Sequence, residues 1–158
     1  MIIKFISDKL SPEFEVYEES KILIHIKIDT EVQTFRITCL DTKRVFFVVD
    51  EVIKKATVTT LLNEYSQRLG SLIKSKSALN SGEIEIEGIQ YTYTFSDDFI
   101  KEINLFEQNS RQPALRCKLE PGQPSILNEG YLNYLLFSMA WFKFLCEKQP
   151  AFAEMAEI

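Results

Sequence analysis

The segment from Ile126 to Cys146 is apolar on every side of a helical wheel. A helix at a protein surface shows one apolar stripe, so a helix that is apolar all round must be enclosed by other parts of the chain. From Tyr131 to Cys146 the apolar run is shorter than the roughly 20 apolar residues of a transmembrane helix. Asn133, Ser138 and Lys143 also interrupt it, and a lysine near the hydrocarbon centre costs on the order of 2.5–3.5 kcal/mol. We therefore expect a buried helix over about 126–148 and no transmembrane span.

The flanks of this segment carry helix-boundary signals. Ser125 or Asn128 can cap the N-terminus, and Glu129 suits the positive end of the helix dipole. Pro150 ends the pattern on the C-terminal side.

Residues 1–120 alternate between apolar and polar positions, which is the period of β-strands. Lys21–Ile28 has isoleucine at every even position. Glu83–Phe95 predicts a hairpin whose two-residue turn, Glu87–Gly88, places Ile86 opposite Ile89. Val45–Val49 is continuously apolar and is interpreted as a strand buried on both sides. Further strands are predicted near 34–39, 57–62, 69–76, 100–107 and 114–120.

Strands with one apolar face and a helix with no polar face can bury their apolar side chains against each other. About nine to eleven antiparallel strands would close into a barrel whose lumen is too wide for side chains alone. A helix of about 10–12 Å diameter would fill that lumen. We predict a β-rich (α+β) fold, an antiparallel β-barrel enclosing the C-terminal helix, as a single domain over 1–158. The alternative is a two-layer antiparallel sheet packed on one helix, which would leave aromatic residues such as Trp141 exposed.

Three segments carry a family resemblance. They are the strand Arg44–Asp50, the bend Asn63–Leu72 with the pattern Tyr-x-x-x-Leu-Gly-x-Leu, and the glycine-turn hairpin Gly82–Tyr91. With the hydrophobic helix that follows, they resemble the tubby-like superfamily, which includes the LURP-one-related proteins and the phospholipid scramblases. The resemblance covers roughly 44–146. It implies a β-barrel around the C-terminal helix.

The same resemblance implies less about activity. Tubby domains bind phosphoinositides through a basic surface pocket, and scramblases bind calcium and a lipid chain. The functional residues of neither group can be placed on this chain. It has no long basic cluster, no acidic loop of the EF-hand kind and no cysteine-rich palmitoylation segment.

Composition limits the class of function. The formal net charge of -5 argues against nucleic acid as a partner, because such binding needs a positive surface. The chain has no GxSxG elbow, P-loop or GxGxxG motif. One histidine and three scattered cysteines are a poor supply of zinc ligands. We therefore expect no enzymatic activity, no catalytic residues, no metal and no cofactor.

The cysteines and the N-terminal sequence bear on localisation. Cys39, Cys117 and Cys146 form no CxxC pair, and an odd number suggests free thiols in a reducing compartment. Each lies beside apolar residues, so each is interpreted as a small buried hydrophobic residue. Met1–Phe5 lacks the basic and apolar pattern of a signal peptide. We expect a cytoplasmic protein.

His25 is the only histidine. Strand alternation places it on the polar face, where a solvated role is expected, and a general base would also need a nucleophile or a supporting carboxylate. A dyad with Cys39 across a hairpin is conceivable, but the same alternation turns the two side chains to opposite faces.

Basic residues provide the candidate binding site. Lys54–Lys55 is predicted in a loop, and Arg111 lies before the last strand. The candidate ligands of an anion or a lipid headgroup, if the fold brings them together, are Arg68, Lys74, Lys76, Arg116 and Lys118. We expect a small non-enzymatic domain that binds a phospholipid headgroup or a protein partner. The alternatives are a structural or interaction module without a small ligand, and an enzyme whose pocket the sequence does not reveal.

Overall fold

The structure is a computed structural model that describes residues 1–6, 11–78, 80–96, 101–123, 130–149 and 154. Eleven strands and the helix α1, Leu132–Lys148, lie within these residues. The strands are β1 (Ile2–Phe5), β2 (Glu13–Glu18), β3 (Lys21–Asp29), β4 (Thr34–Cys39), β5 (Thr42–Ile53), β6 (Ala56–Asn63), β7 (Arg68–Lys74), β8 (Ser81–Ile86), β9 (Ile89–Ser96), β10 (Glu102–Glu107) and β11 (Leu115–Leu119).

The strands form one closed barrel in which each strand pairs with its neighbours in sequence. The pairs between sequence neighbours are antiparallel. The barrel closes through β1 and β11, which pair in parallel. The parallel pair follows from the odd number of strands, because alternating directions leave the first and the last strand running the same way. The predicted barrel is therefore confirmed, and the two-layer alternative is excluded.

The helix α1 lies inside the barrel. Leu135, Leu136, Phe137, Ser138, Met139 and Ala140 are six consecutive residues with no exposed surface. The helix contacts β3 and β4 on one wall and β8 and β9 on another. The one hydroxyl in this stretch is satisfied within the helix, because Ser138 Oγ donates to the Tyr134 carbonyl at 2.6 Å. This is the enclosed position that a helix without a polar face requires.

The helix begins later than the sequence predicts, at Leu132 rather than Ile126. Gly130 has a left-handed φ of +73°, which a helix does not accommodate, and Tyr131 precedes the first helical residue without a side-chain cap. The predicted caps Ser125 and Asn128, together with Glu129 and Pro150, lie outside the described residues. Ile100, the predicted start of β10, lies outside them as well.

Strand register agrees with the sequence in one hairpin and differs in one strand. Ile86 pairs with Ile89 and Ile84 with Tyr91, as predicted for β8 and β9. In β5, however, Phe46 and Val48 are buried whereas Phe47 and Val49 are 37% and 39% exposed. The prediction of a strand buried on both sides is wrong, because the helix covers only the inner face of the wall.

Candidate functional site

The five predicted ligand residues lie on two separate parts of the wall. Arg68 and Lys74 are on β7 and Lys76 follows it, whereas Arg116 and Lys118 are on β11. Strands β8, β9 and β10 separate the two groups. At about 4.8 Å per strand, β7 and β11 are roughly 19 Å apart along the wall. The fold does not bring the five residues into one cluster.

Two of these cations are paired with carboxylates. Arg68 Nη2 lies 2.8 Å from Glu85 Oε2, and Arg116 Nε lies 3.3 Å from Glu102 Oε1. Arg116 and Lys118 also line an open depression of about 450 Å³ at the seam between β1 and β11, together with Glu18. Lys74 and Lys76 are exposed at the far end of β7 from Arg68.

His25 has a carboxylate partner that sequence reasoning missed. Its Nε2 lies 2.9 Å from Glu13 Oε2, and Lys27 Nζ lies 3.2 Å from Glu13 Oε1. The hydrogen bond with His25 is the main cause that lowers the pKa of Glu13. Strand pairing places His25 opposite Thr38 and Cys39 opposite Ile24. His25 therefore has a supporting carboxylate, but Cys39 does not face it.

The cysteines have the character of small buried residues. All three are free, Cys39 and Cys117 are buried, and Cys146 is partly buried. Burial raises the pKa of Cys39 and of Cys117 to about 12, so both are protonated at neutral pH. Within the described parts of the chain, no three His, Cys, Asp or Glu side chains are grouped so that they could hold a metal ion.

The longest strand leads into a hairpin that projects from the barrel. The β4–β5 ladder ends at the pair Thr34–Phe47, and the β6–β7 ladder ends at the pair Val58–Ile73. Beyond both ladders, β5 and β6 continue as a two-stranded hairpin of two pairs, Val52–Thr57 and Ile53–Ala56. From Val48 to Ile53, β5 itself runs about 16 Å past its last pair with β4, at about 3.3 Å per residue.

The tip of this hairpin combines aliphatic and cationic side chains. Val52 is 76% exposed and Ile53 is 48% exposed. Lys54 and Lys55 form the turn, and both are exposed. Both also have left-handed φ values, 49° and 66°. Two-residue turns of this kind favour Asn-Gly, because a residue with a Cβ pays roughly 1–2 kcal/mol in the left-handed region. We call Val52–Lys55 the hairpin tip.

A small pocket lies at the base of the same hairpin, where α1 begins. It has a volume of about 70 Å³ and is lined by Gln33, Val48, Asp50, Thr59, Gly130, Asn133 and Tyr134. Asn133 Nδ2 donates to Thr59 Oγ1 at 3.2 Å, and Thr59 Oγ1 donates to Asp50 Oδ1 at 2.5 Å. Burial, followed by the charge of Asp50, raises the pKa of Tyr134. We call this the base pocket.

The sequence contains only weak indications of the hairpin tip and of the base pocket. Asn133 interrupts the apolar segment, and Lys54–Lys55 is a pair of cations in a predicted loop. Neither shows that β5 extends past the end of β4, or that Asn133 hydrogen-bonds to Thr59, 74 residues earlier in the chain.

The outer wall beside the hairpin carries several apolar side chains around the exposed Glu51. Phe47, Val49 and Ile53 share the outer face of β5, and Ile73 on β7 is 40% exposed. Val58 joins the two, because it pairs with Glu51 on one side and with Ile73 on the other. We call Phe47, Val49, Val58 and Ile73 the outer apolar face.

Comparisons with models of protein families, with curated proteins and with solved structures gave no match. The resemblance to the tubby-like superfamily therefore stays a prediction. Among the described residues, no helix has both the length and the apolar character needed to cross a bilayer.

Proposed function

We propose that this protein is a non-enzymatic domain that binds the surface of anionic phospholipid membranes through its hairpin tip. The observation that supports this proposal is the composition of the tip. Val52 and Ile53 are exposed at the end of a projecting hairpin, and Lys54 and Lys55 follow them directly. Aliphatic side chains at such a tip enter the interface between headgroups and acyl chains, while lysines meet the lipid phosphates.

The expected energies are those of a reversible peripheral contact. Removing an aliphatic side chain of this size from water contributes about 1.5–3 kcal/mol. A lysine close to an anionic surface contributes about 1 kcal/mol. Lys74 adds a further cation beside the hairpin, because it follows Ile73, the partner of Val58. The net charge of -5 repels the rest of the protein from such a surface, which would favour an orientation with this end facing the membrane.

Co-sedimentation with vesicles tests this proposal. The vesicles are phosphatidylcholine alone and phosphatidylcholine mixed with phosphatidylglycerol. One variant removes the aliphatic tip, Val52→Ser with Ile53→Ser, and a second removes the charges, Lys54→Gln with Lys55→Gln. Matched controls are Ile22→Ser and Lys43→Gln, which change an exposed isoleucine and an exposed lysine at the other end of the barrel.

We expect the wild type and both controls to bind the anionic vesicles, and both tip variants to lose most of that binding. The lysine variant should also lose its dependence on salt, because screened charge attraction is the term it removes. Absence of wild-type binding to either vesicle would refute the proposal. Equal binding by the tip variants and the wild type would refute the role of the tip.

A protein partner is the second candidate, and the outer apolar face favours it. Contiguous exposed apolar residues on a protein surface often mark an interface. The simplest such partner is a second copy of the chain. Light scattering over a concentration series would show a dimer that Phe47→Ser reduces to a monomer. A monomer at every concentration would exclude the second copy.

A further inference from the structure

A polar pocket lies on the outer face of the wall, where β3 ends and β4 begins. Strand pairing places Lys27 beside Arg36 and Asp29 beside Thr34. Because paired side chains are about 5 Å apart and the two pairs are about 7 Å apart along the strands, the four surround one small area. We call it the β3–β4 pocket. Its volume is about 130 Å³, and its lining is Ser11, Lys27, Ile28, Asp29, Thr34 and Arg36.

Two cations of this lining are able to bind an anion. Lys27 and Arg36 are exposed, and no side chain in the described parts of the protein pairs with the Arg36 guanidinium. Lys27 Nζ lies 3.2 Å from Glu13 Oε1, which leaves part of its donor capacity unused. Glu13 is also bonded to His25 at 2.9 Å, so it keeps a partner when Lys27 turns toward a ligand. Since Glu13 offsets the charge of Lys27, Arg36 is the main attraction for an anion.

The Asp29 carboxylate restricts the kind of anion. Its Oδ1 accepts the backbone N–H groups of Glu31 at 3.1 Å and of Val32 at 3.3 Å, which fixes the side chain at the β3–β4 turn. Among the residues that the structure describes, none donates to the other oxygen, Oδ2. A carboxylate can only accept hydrogen bonds. An anion that also only accepts would therefore meet Asp29 without forming a bond.

A phosphate group that keeps a proton fits this combination of charges. Its oxygens accept from Arg36 and Lys27, and its P–O–H group donates to Asp29. Sulfate has the same shape but carries no proton at neutral pH. The pocket volume of about 130 Å³ corresponds to about four water molecules at about 30 Å³ each, which is enough for one phosphate group. We infer that the β3–β4 pocket binds a protonated phosphate group, as inorganic phosphate or as a monoester, and prefers it to sulfate.

The position of the pocket favours a soluble phosphate over a lipid phosphate. The pocket lies at the pair Thr34–Phe47, and β5 continues from Phe47 to Ile53, which is about 20 Å of strand. The headgroup layer is only about 5–7 Å thick on each side of a bilayer. A membrane that meets the hairpin tip would therefore not reach the pocket. The phosphate diesters of phospholipids also have no proton to donate, so this inference does not depend on the proposed function.

The first arm of the test titrates the full chain with sodium phosphate and, separately, with sodium sulfate. The backbone amides of Asp29 and Arg36 are followed by NMR at neutral pH, and sodium chloride keeps the ionic strength constant. Arg36→Gln removes the unpaired cation. Arg111→Gln is the matched control, because Arg111 is also an exposed arginine but lies between β10 and β11. Asp29→Asn keeps an oxygen for the turn and replaces the other oxygen with an amide donor.

We expect saturable shifts with phosphate and about tenfold weaker binding of sulfate, which is the effect of one hydrogen bond to a charged group. Arg36→Gln should weaken phosphate binding by about tenfold for the same reason, whereas Arg111→Gln should leave it unchanged. In Asp29→Asn, sulfate should bind as tightly as phosphate, because the amide can donate to it. Equal affinity of the wild type for the two anions, or unchanged phosphate binding in Arg36→Gln, would overturn the inference.

The second arm distinguishes the sources of the phosphate. Glycerol phosphate, a soluble monoester, should shift the same amides at about pH 6, where part of it keeps a proton. Vesicles of phosphatidylcholine with phosphatidylglycerol contain only diesters, so they should bind Arg36→Gln as well as the wild type. If phosphate binds in solution but no vesicle binds, the proposed function fails and the pocket stands. If vesicles bind and neither soluble phosphate causes a shift, the inference fails and the proposed function stands.

Discussion

The β8–β9 hairpin and the β5–β6 hairpin have the same kind of turn but opposite surroundings. Both turns have two residues in the left-handed region, Glu87 and Gly88 in one and Lys54 and Lys55 in the other. In β8–β9 the second position is a glycine, which adopts this conformation without steric cost. The side chains that lead into that turn are buried against the helix-filled lumen, whereas Val52 is exposed to solvent.

This difference distinguishes a hairpin whose features stabilise the fold from a hairpin whose tip the fold does not need. The β8–β9 hairpin combines regular register and burial with a glycine at one of its two left-handed turn positions, as a segment selected for stability does. The β5–β6 hairpin keeps a regular register up to its turn. Its two turn residues are non-glycine residues in the left-handed region, and Val52 and Ile53 are exposed to solvent. Local rules are commonly broken at functional sites, and this supports the proposal that the hairpin tip is the contact surface.

The largest expected effect concerns the part of β5 that belongs to the barrel wall. The Trp141 ring packs edge-on against Phe46 at 5.5 Å. Trp141→Ala should lower the free energy of unfolding by about 3–5 kcal/mol, measured by urea denaturation. Lys143→Ala is the comparison on the same helix. Its ion pair with Glu147 at 3.1 Å should contribute only about 0–1 kcal/mol. If Trp141→Ala had the same urea midpoint as the wild type, that result would contradict the enclosed position of the helix.

The next effect compares the two hairpins directly. Ile84 on β8 has no exposed surface, so Ile84→Ala should lower the free energy of unfolding by about 2–5 kcal/mol. Val52→Ala should change it by less than about 0.5 kcal/mol, because the side chain is already exposed. Urea midpoints of the two variants measure this contrast. Similar losses in both would mean that the projecting hairpin also packs.

A smaller effect tests the strain in the turn. Replacing Lys54→Asn with Lys55→Gly would introduce the residues that this turn favours. The free energy of unfolding should rise by about 1 kcal/mol, while binding to anionic vesicles should fall. Glu87→Asn is the control, because it improves the other turn and should leave vesicle binding unchanged. A more stable variant with full binding would show that the lysines are not needed for the contact.

The smallest effect concerns the wall away from both hairpins. Because the hydrogen bond from His25 lowers the pKa of Glu13 below its ordinary value of 4.5, Glu13 stabilises the fold above that pH. The contribution is lost as the pH falls through the lowered pKa, and it should amount to less than about 1 kcal/mol.

Urea midpoints over the acid range measure it. Glu13→Gln should lose less stability on acidification than the wild type does, whereas the contrast between Ile84→Ala and Val52→Ala should persist. An identical acid profile for Glu13→Gln and the wild type would show that the pair with His25 does not stabilise the fold.

Much of the architecture could be predicted because it depends on local patterns. The enclosed helix follows from its lack of a polar face, and the β8–β9 register follows from Gly88 and the alternation on either side of it. Val45–Val49 misled the interpretation because an apolar run does not distinguish a strand covered on both faces from one whose outer residues are exposed. The predicted basic site depended on the strand order, which places β7 and β11 apart.

The sequence by itself determined that a helix with no polar face had to be surrounded by strands that each have one apolar face. Periodicity carries that information, because burial is repeated at every second residue of a strand and on all sides of an enclosed helix. Only the tertiary structure decided that β5 and β6 extend past their neighbours, and that Asp50, Thr59 and Asn133 meet at the base of that hairpin. Strand lengths relative to their neighbours, and contacts across 74 residues, arise when the barrel closes, and no local pattern encodes them.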